Sequence, residues 1–168
     1  MVLWKKTWEI LCELRGAFDR QQTFFWFAVV VAGFCTRSDL AGVSSFIRCL
    51  GLGEQHYCSL VEFFGSKAIR LDSLTALWVE RVARIFPLVR VHGRIILVAD
   101  GIKVAKEGRK MPGVKSLHQE SQSNSKPEYI MGHSIRAVSV LAGTESHTMA
   151  VPLAARIHEG IVQSNRDA

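Results

Sequence analysis

Asp100 closes a run of five apolar residues, Ile95-Ile96-Leu97-Val98-Ala99, and a basic, turn-rich stretch follows it. A carboxylate on a strand that reads as buried is costly unless something cationic meets it. The next residues supply Lys103, Lys106, Arg109, Lys110, Lys115 and Lys126. An acid on a strand beside a cationic loop is what metal-assisted phosphoryl chemistry on a nucleic acid needs: one group to hold a divalent ion, others to hold phosphates. On period 2, Asp100 shares a strand face with Ile96, Val98, Ile102 and Val104, an acid among apolar side chains. A second reading stands beside this one. Asp-Gly is a strong hairpin signal, so Asp100-Gly101 also reads as a turn.

The elements that must position these residues are bounded by composition. A chain of 168 residues makes one ordinary domain or two small ones. With 48% hydrophobic and 21% charged residues it can build a core and is not wholly disordered. The net charge of +6 is unevenly placed. Residues 1–89 hold ten Lys and Arg against eight acids, residues 90–127 eight against three, and residues 128–168 three against four. The positive charge surrounds Asp100, which favours a polyanionic partner over a general solubility effect.

Cys12, Cys35, Cys49 and Cys58 form no Cys-x-x-Cys pair, and His56 stands two residues before Cys58. That spacing argues against zinc, and the four read as small buried hydrophobes in a reducing compartment. The uncharged segment Thr23 to Thr36 is apolar but only 14 residues long. A bilayer needs about 20. It reads as a buried core helix.

Residues 1–90 read as helical. Trp4, Trp8, Leu11, Cys12 and Leu14 recur at helical spacing in a helix closed near Gly16. Ser38 or Asp39 would cap a short helix, Gly42 a turn, and Ser44 or Ser45 would open a helix through Phe46 and Ile47 to Gly51. Helix, glycine turn and a helix bearing Arg48 is the outline of a helix-turn-helix, although plain helical corners look alike. Further helices are expected over His56–Phe64 and Ser73–Phe86. In the latter, Leu74, Leu77, Trp78, Val82 and Ile85 form the inner stripe, and Glu80, Arg81 and Arg84 face solvent. Strands are expected over Arg94–Lys106, Tyr129–Leu141 and His147–Ile157, the last bulged or at an edge because of Pro152. Lys106–Glu128 reads as a long loop.

The stretch VADGIKVAKEGRKMPGVKSLHQESQSNSKPEYIMGHSIRAVSVLAG, with VPLAARIHEG after it, resembles the start of the catalytic domain of DDE-type insertion-sequence transposases. The resemblance covers roughly residues 94–165, and SDLAGVSSFIRCLGL is compatible with that family's N-terminal region. It implies an α+β chain: a helical, DNA-binding region over 1–90, then over 91–168 the first antiparallel strands of a truncated ribonuclease H-like fold. Asp100 would be the first catalytic aspartate and a ligand of Mg2+ or Mn2+. The parent reaction would be metal-dependent DNA cleavage and strand transfer, with two ions about 3.5–4 Å apart. DNA, as element ends and target, would be the partner, met by Lys103, Lys106, Arg109, Lys110, Lys115, His118, Lys126, His133 and Arg48, with His133 alternatively hydrogen-bonded locally. Self-association stays open, no membrane is expected, and the setting would be the cytoplasmic nucleoid.

One departure from the family limits this. After Asp100 the acids are Glu107, Glu120, Glu128, Glu145, Glu159 and Asp167, and none matches the family's second or third acid. The expectation is therefore a truncated transposase that is inactive alone. Two other classes remain: a non-catalytic DNA-binding inhibitor, and a small membrane-associated helical protein built on Thr23–Thr36.

Overall fold

The computed structural model describes residues 2–39, 42–106, 111–118, 128–144 and 146–158. Among them, five helices precede an antiparallel sheet, an α+β order. The chain divides into two compact units, Met1–Arg81 and Val82–Ala168.

In the first unit the helices are α1 (Val2–Glu13), α2 (Gln21–Thr36), α3 (Gly42–Cys49), α4 (Tyr57–Phe64) and α5 (Leu71–Ile85), the last running four residues into the second unit. The apolar helix α2 has core on two sides. Its Phe24 joins Leu11, Ala17 and Phe18 in one cluster, while its Val30 joins Phe46, Leu60 and Phe63 in another. Phe27 packs against both clusters. This double burial accounts for Phe24, Phe27 and Val30, while Phe25 and Phe34 of the same helix stay exposed. No described helix is long and apolar enough to cross a membrane. A bridge between Phe18 and Ile69 ties the end of α1 to the start of α5, with Asp19 N–H donating to Ala68 O and Arg70 N–H to Ala17 O.

Several expectations need correction here. All four cysteines are exposed rather than buried, because each falls on the outer side of its helix. Trp4 and Trp8 remain half exposed, and only Leu11 and Leu14 of the expected first stripe are buried. Arg81 does not face solvent: its Nη1 donates to Glu13 Oε1 at 2.7 Å, with the side chain 21% exposed. α3 starts at Gly42 itself rather than at Ser44 or Ser45, so the glycine expected in the turn opens that helix. The short helix expected after a Ser38 or Asp39 cap falls on residues 40 and 41, which lie outside the described residues.

The second unit is organised by one strand. Its strands are β1 (Arg90–Val91), β2 (Arg94–Ile95), β3 (Leu97–Ala105), β4 (Lys115–His118), β5 (Tyr129–Thr144) and β6 (His147–Ile157). β5 pairs antiparallel with β3, β4 and β6. Gly132 is paired with both Ala105 and Lys115, so β3 and β4 lie on opposite edges of β5. β6 shares residues 135–140 of β5 with β3 and therefore lies on the β4 edge. The expected order of three successive antiparallel strands is present. Two features differ: Lys106–Glu128 contains the short strand β4, and the expected strand Arg94–Lys106 breaks at Ile96. The break follows from a hairpin, β1–β2, whose turn residues His92 and Gly93 have φ of 49° and 75°, as a type I′ turn requires.

Gly33 of α2 marks a close helix contact, since a Cβ there would overlap the Phe46 ring. Gly33→Ala should therefore cost about 1–3 kcal/mol through forced separation of α2 and α3. Gly16→Ala, where the nearest atom would be Leu77 Cδ1 at an ordinary 3.8 Å, should be neutral or slightly stabilising. Urea unfolding followed by tryptophan fluorescence checks both, because all four tryptophans lie in the first unit. Equal stability of the two variants would contradict this packing.

Candidate functional site

Asp100 sits in the middle of β3, opposite Ala137 of β5, and Gly101 stands opposite Arg136. The pair is thus strand, and the hairpin-turn reading is excluded. The side chain is exposed, not buried, so the strand is apolar without being covered: Leu97 is 59% and Ile102 58% exposed. Within the second unit, pairing through β5 forms a single sheet layer there. The carboxylate Oδ1 accepts the Gly101 N–H at 2.7 Å. Ala99, Asp100, Gly101, Arg136, Ala137 and Val138 line a shallow hollow at this point.

Residues opposite one another in register share a face. Asp100 therefore shares its face with Val98, Ile102 and Val104 of β3, with His133, Ile135, Ala137 and Ser139 of β5, and with Ala155 and Ile157 of β6. The other face carries Lys103, Arg136 and Arg156, which are all the cations of these three strands. For Lys103, the expectation of a cation meeting the acid is corrected by this parity. On these strands, acid and cations are on opposite faces.

The remaining site residues are distributed as follows. Lys103 Nζ donates to the His118 carbonyl at 2.7 Å. Lys106 is exposed just after β3, its N–H donating to Met131 O, and Lys115 opens β4, half-buried. His118 is exposed, with Nε2 3.7 Å from Glu128 Oε1 and its ring 5.2 Å from that of Tyr129. Arg48 is on α3, 3.6 Å from Asp39, in the other unit. Arg109, Lys110 and Lys126 lie outside the described residues. His133 is buried, and its Nε2–H donates to the Pro112 carbonyl at 2.9 Å, the local hydrogen bond that was the alternative to a functional role.

His133 reaches this position because β5 bends closely past β3. A Cβ on Gly132 would overlap the Val104 carbonyl, so only glycine permits the approach. Sequence reasoning missed Arg136, Arg156 and His158. Arg136 and Arg156 are exposed and directly opposite each other, and the His158 N–H donates to Ser134 O. Arg136 depresses the His158 pKa below its ordinary value; desolvation and then Lys115 add to this. Strand parity would have placed Arg136, but Arg156 reaches that face only through a bulge that sequence does not locate to the residue.

The fit of a divalent ion can be tested on the donor set. Among the described residues no three His, Cys, Asp or Glu side chains converge, and Asp100's register neighbours are Ala137 and Gly101's partner Arg136. Magnesium draws on carboxylate oxygens, so these residues do not assemble a resident metal site.

His133→Ala should loosen the Pro112 segment and β4 by about 0.5–1.5 kcal/mol, since the Pro112 carbonyl loses its donor. Hydrogen exchange at the β4 amides, about tenfold faster per 1.4 kcal/mol lost, is the measurement. Unchanged exchange would show that this bond does not hold β4. Compared with family models, curated proteins and solved structures, the chain matches none.

Proposed function

We propose that this chain is a DNA-binding portion of a DDE-type insertion-sequence transposase, with Asp100 as the first catalytic acid of a ribonuclease H-like domain. The observation that carries the reading is the placement of Asp100. It is an exposed carboxylate at the centre of the first long strand of an antiparallel β3–β5–β6 succession, beside alanine and glycine rather than bulky side chains. That gives an open acid on a rigid element, the arrangement an ion-bridging aspartate needs. The parent activity, metal-dependent cleavage and strand transfer, requires further carboxylates to hold Mg2+ or Mn2+ with Asp100. The described residues of this chain offer one donor there, and no chemical step is assigned to them.

A second reading, a non-catalytic DNA-binding protein, draws on that same lone carboxylate together with the exposed cations of the sheet. Both readings share DNA as partner and differ in cleavage.

Three outcomes are expected. Gel shifts of the whole chain with duplex DNA should show binding at low salt that weakens as salt rises, with a log–log slope of magnitude at least about 2. No shift at any ionic strength would remove both readings. Asp100→Ala should leave that binding largely intact, because an acid contributes no attraction to phosphate; a large loss would make Asp100 a structural residue instead. With Mg2+ the chain alone should not nick DNA.

A further inference from the structure

We infer that the helical unit carries a phosphate-binding site at the start of α2. Arg20, Lys67, the Thr23 hydroxyl and the N–H groups of Gln21, Gln22 and Thr23 form it. Its ligand is a phosphate group, and under the proposed DNA partner that group belongs to the backbone. The site stands on its own geometry; only the source of the phosphate rests on that reading.

The start of α2 lacks what normally closes a helix. Its N-cap residue is Arg20, in extended geometry and with no side-chain bond to the first turn. Serine, threonine, aspartate or asparagine at that position supplies an acceptor, and arginine has none. The first hydrogen bond into the helix runs from Phe24 N–H to Arg20 O. Ahead of it, the N–H groups of Gln21, Gln22 and Thr23 meet no helix carbonyl, and no acceptor among the described residues takes them. The first turn also holds no acid. A cation at this end opposes the helix dipole, so the exposed Arg20 is unfavourable there unless an anion joins it.

A buried hydroxyl points to the ligand independently of the helix end. Arg20 and Ser66 line two adjoining hollows; Thr23 and Glu62 belong to the first, Lys67 to the second. Thr23 is only 8% exposed, yet its hydroxyl has no partner among the described residues. Its oxygen is not sealed from solvent, so it opens on the hollow that Thr23 lines. At a helix end that water alone caps, the donors lie at the surface. A hydroxyl nine-tenths buried and facing a hollow is what a bound acceptor needs. Arg20 and Lys67 are both exposed and form no ion pair among the described residues. Of the two acids nearby, Asp19 is already 3.2 Å from Arg70 Nε. Glu62 lines the first hollow and opposes an anion there. Donors of one turn, a hydroxyl and two cations suit a phosphate, whose oxygens accept from several directions at once.

The test follows the amides of Gln21, Gln22 and Thr23 in the whole chain by NMR, adding inorganic phosphate and, separately, a short DNA duplex. Phosphate should shift these amides. R20Q with K67Q should weaken that binding about tenfold or more, since two charge-assisted contacts are lost. T23V keeps the shape, removes the hydroxyl, and should weaken it about fivefold or more. E62Q should tighten it by removing a repelling charge, a sign that a purely structural role of Glu62 does not give. Removing two charges from α1 instead (K5Q with K6Q) should leave phosphate binding unchanged. With the duplex, R20Q with K67Q should lower the log–log salt slope by about 1, as one phosphate contact requires. An unchanged slope, with inorganic phosphate still bound at these amides, upholds the site for a free phosphate and overturns the backbone as its source. Failure of the wild type to bind duplex removes the DNA reading, and the phosphate titration then decides the site by itself. Amides unmoved by both ligands, or phosphate binding undiminished in R20Q with K67Q, overturn the site.

Discussion

The double pairing of β5 is the constraint on which the second unit rests. Over residues 135–140 it bonds to β3 on one edge and β6 on the other, and at its start it bonds to β4. Its backbone groups are satisfied by neighbours, and among the described residues no other strand of this sheet has partners on both sides. Side chains alternate with period 2, so a one-residue slip against β5 would exchange the two faces completely. A single slip of β3 would carry Asp100 to the side of Arg136. The separation of acid from cations is thus a property of register, fixed by the β3 ladder from Leu97↔Val140 to Ala105↔Gly132.

The helical unit solves a different problem. Its central helix has two apolar contacts because two clusters claim different parts of it, through Phe24 and Val30. Glycine at position 33 lets Phe46 of α3 come against the helix backbone, and the Phe34 and Phe46 rings meet edge to face at 5.0 Å. Arg37 then lies over both rings, 4.4 and 4.5 Å from their centroids, closing that end of α2 with a cation on aromatic faces.

What was legible in the sequence followed from local chemistry. The first and last helices announce themselves by apolar spacing and breakers. Their ends differ from those expected, at Glu13 rather than near Gly16 and over Leu71–Ile85 rather than Ser73–Phe86, and Trp4, Trp8 and Ile85 of their stripes stay exposed. Pro152 marks a bulged strand because it lacks an N–H. The strand His147–Ile157 was readable to both ends. Long-range pairing decided the rest. Asp100-Gly101 has turn propensity, but apolar residues on both sides find partners in β5, and the ladder outweighs the local preference. Lys115–His118 looks like loop by composition and becomes a strand only because β5 offers an edge. Arg81 reads as a solvent-facing cation, and its pairing with Glu13, far away in sequence, leaves no periodic trace. Of the candidate site, the acid was readable. The face opposite to it was not, since a bulge of one residue decides where Arg156 points.

That bulge decides which side chains share a face. Without it Arg156 would be the partner of Ile135 and stand on the face of Asp100. With it, acid and guanidiniums are on opposite sides of the sheet, where their mutual field is weak: two unit charges about 10 Å apart interact by only ~0.4 kcal/mol in water, before salt screens them over a Debye length of about 8 Å. Each charge keeps its own local environment, Asp100 among apolar side chains and Arg136 opposite Arg156. The surroundings of the acid and of the cations are therefore set separately by register, and a substitution on one face need not disturb the other.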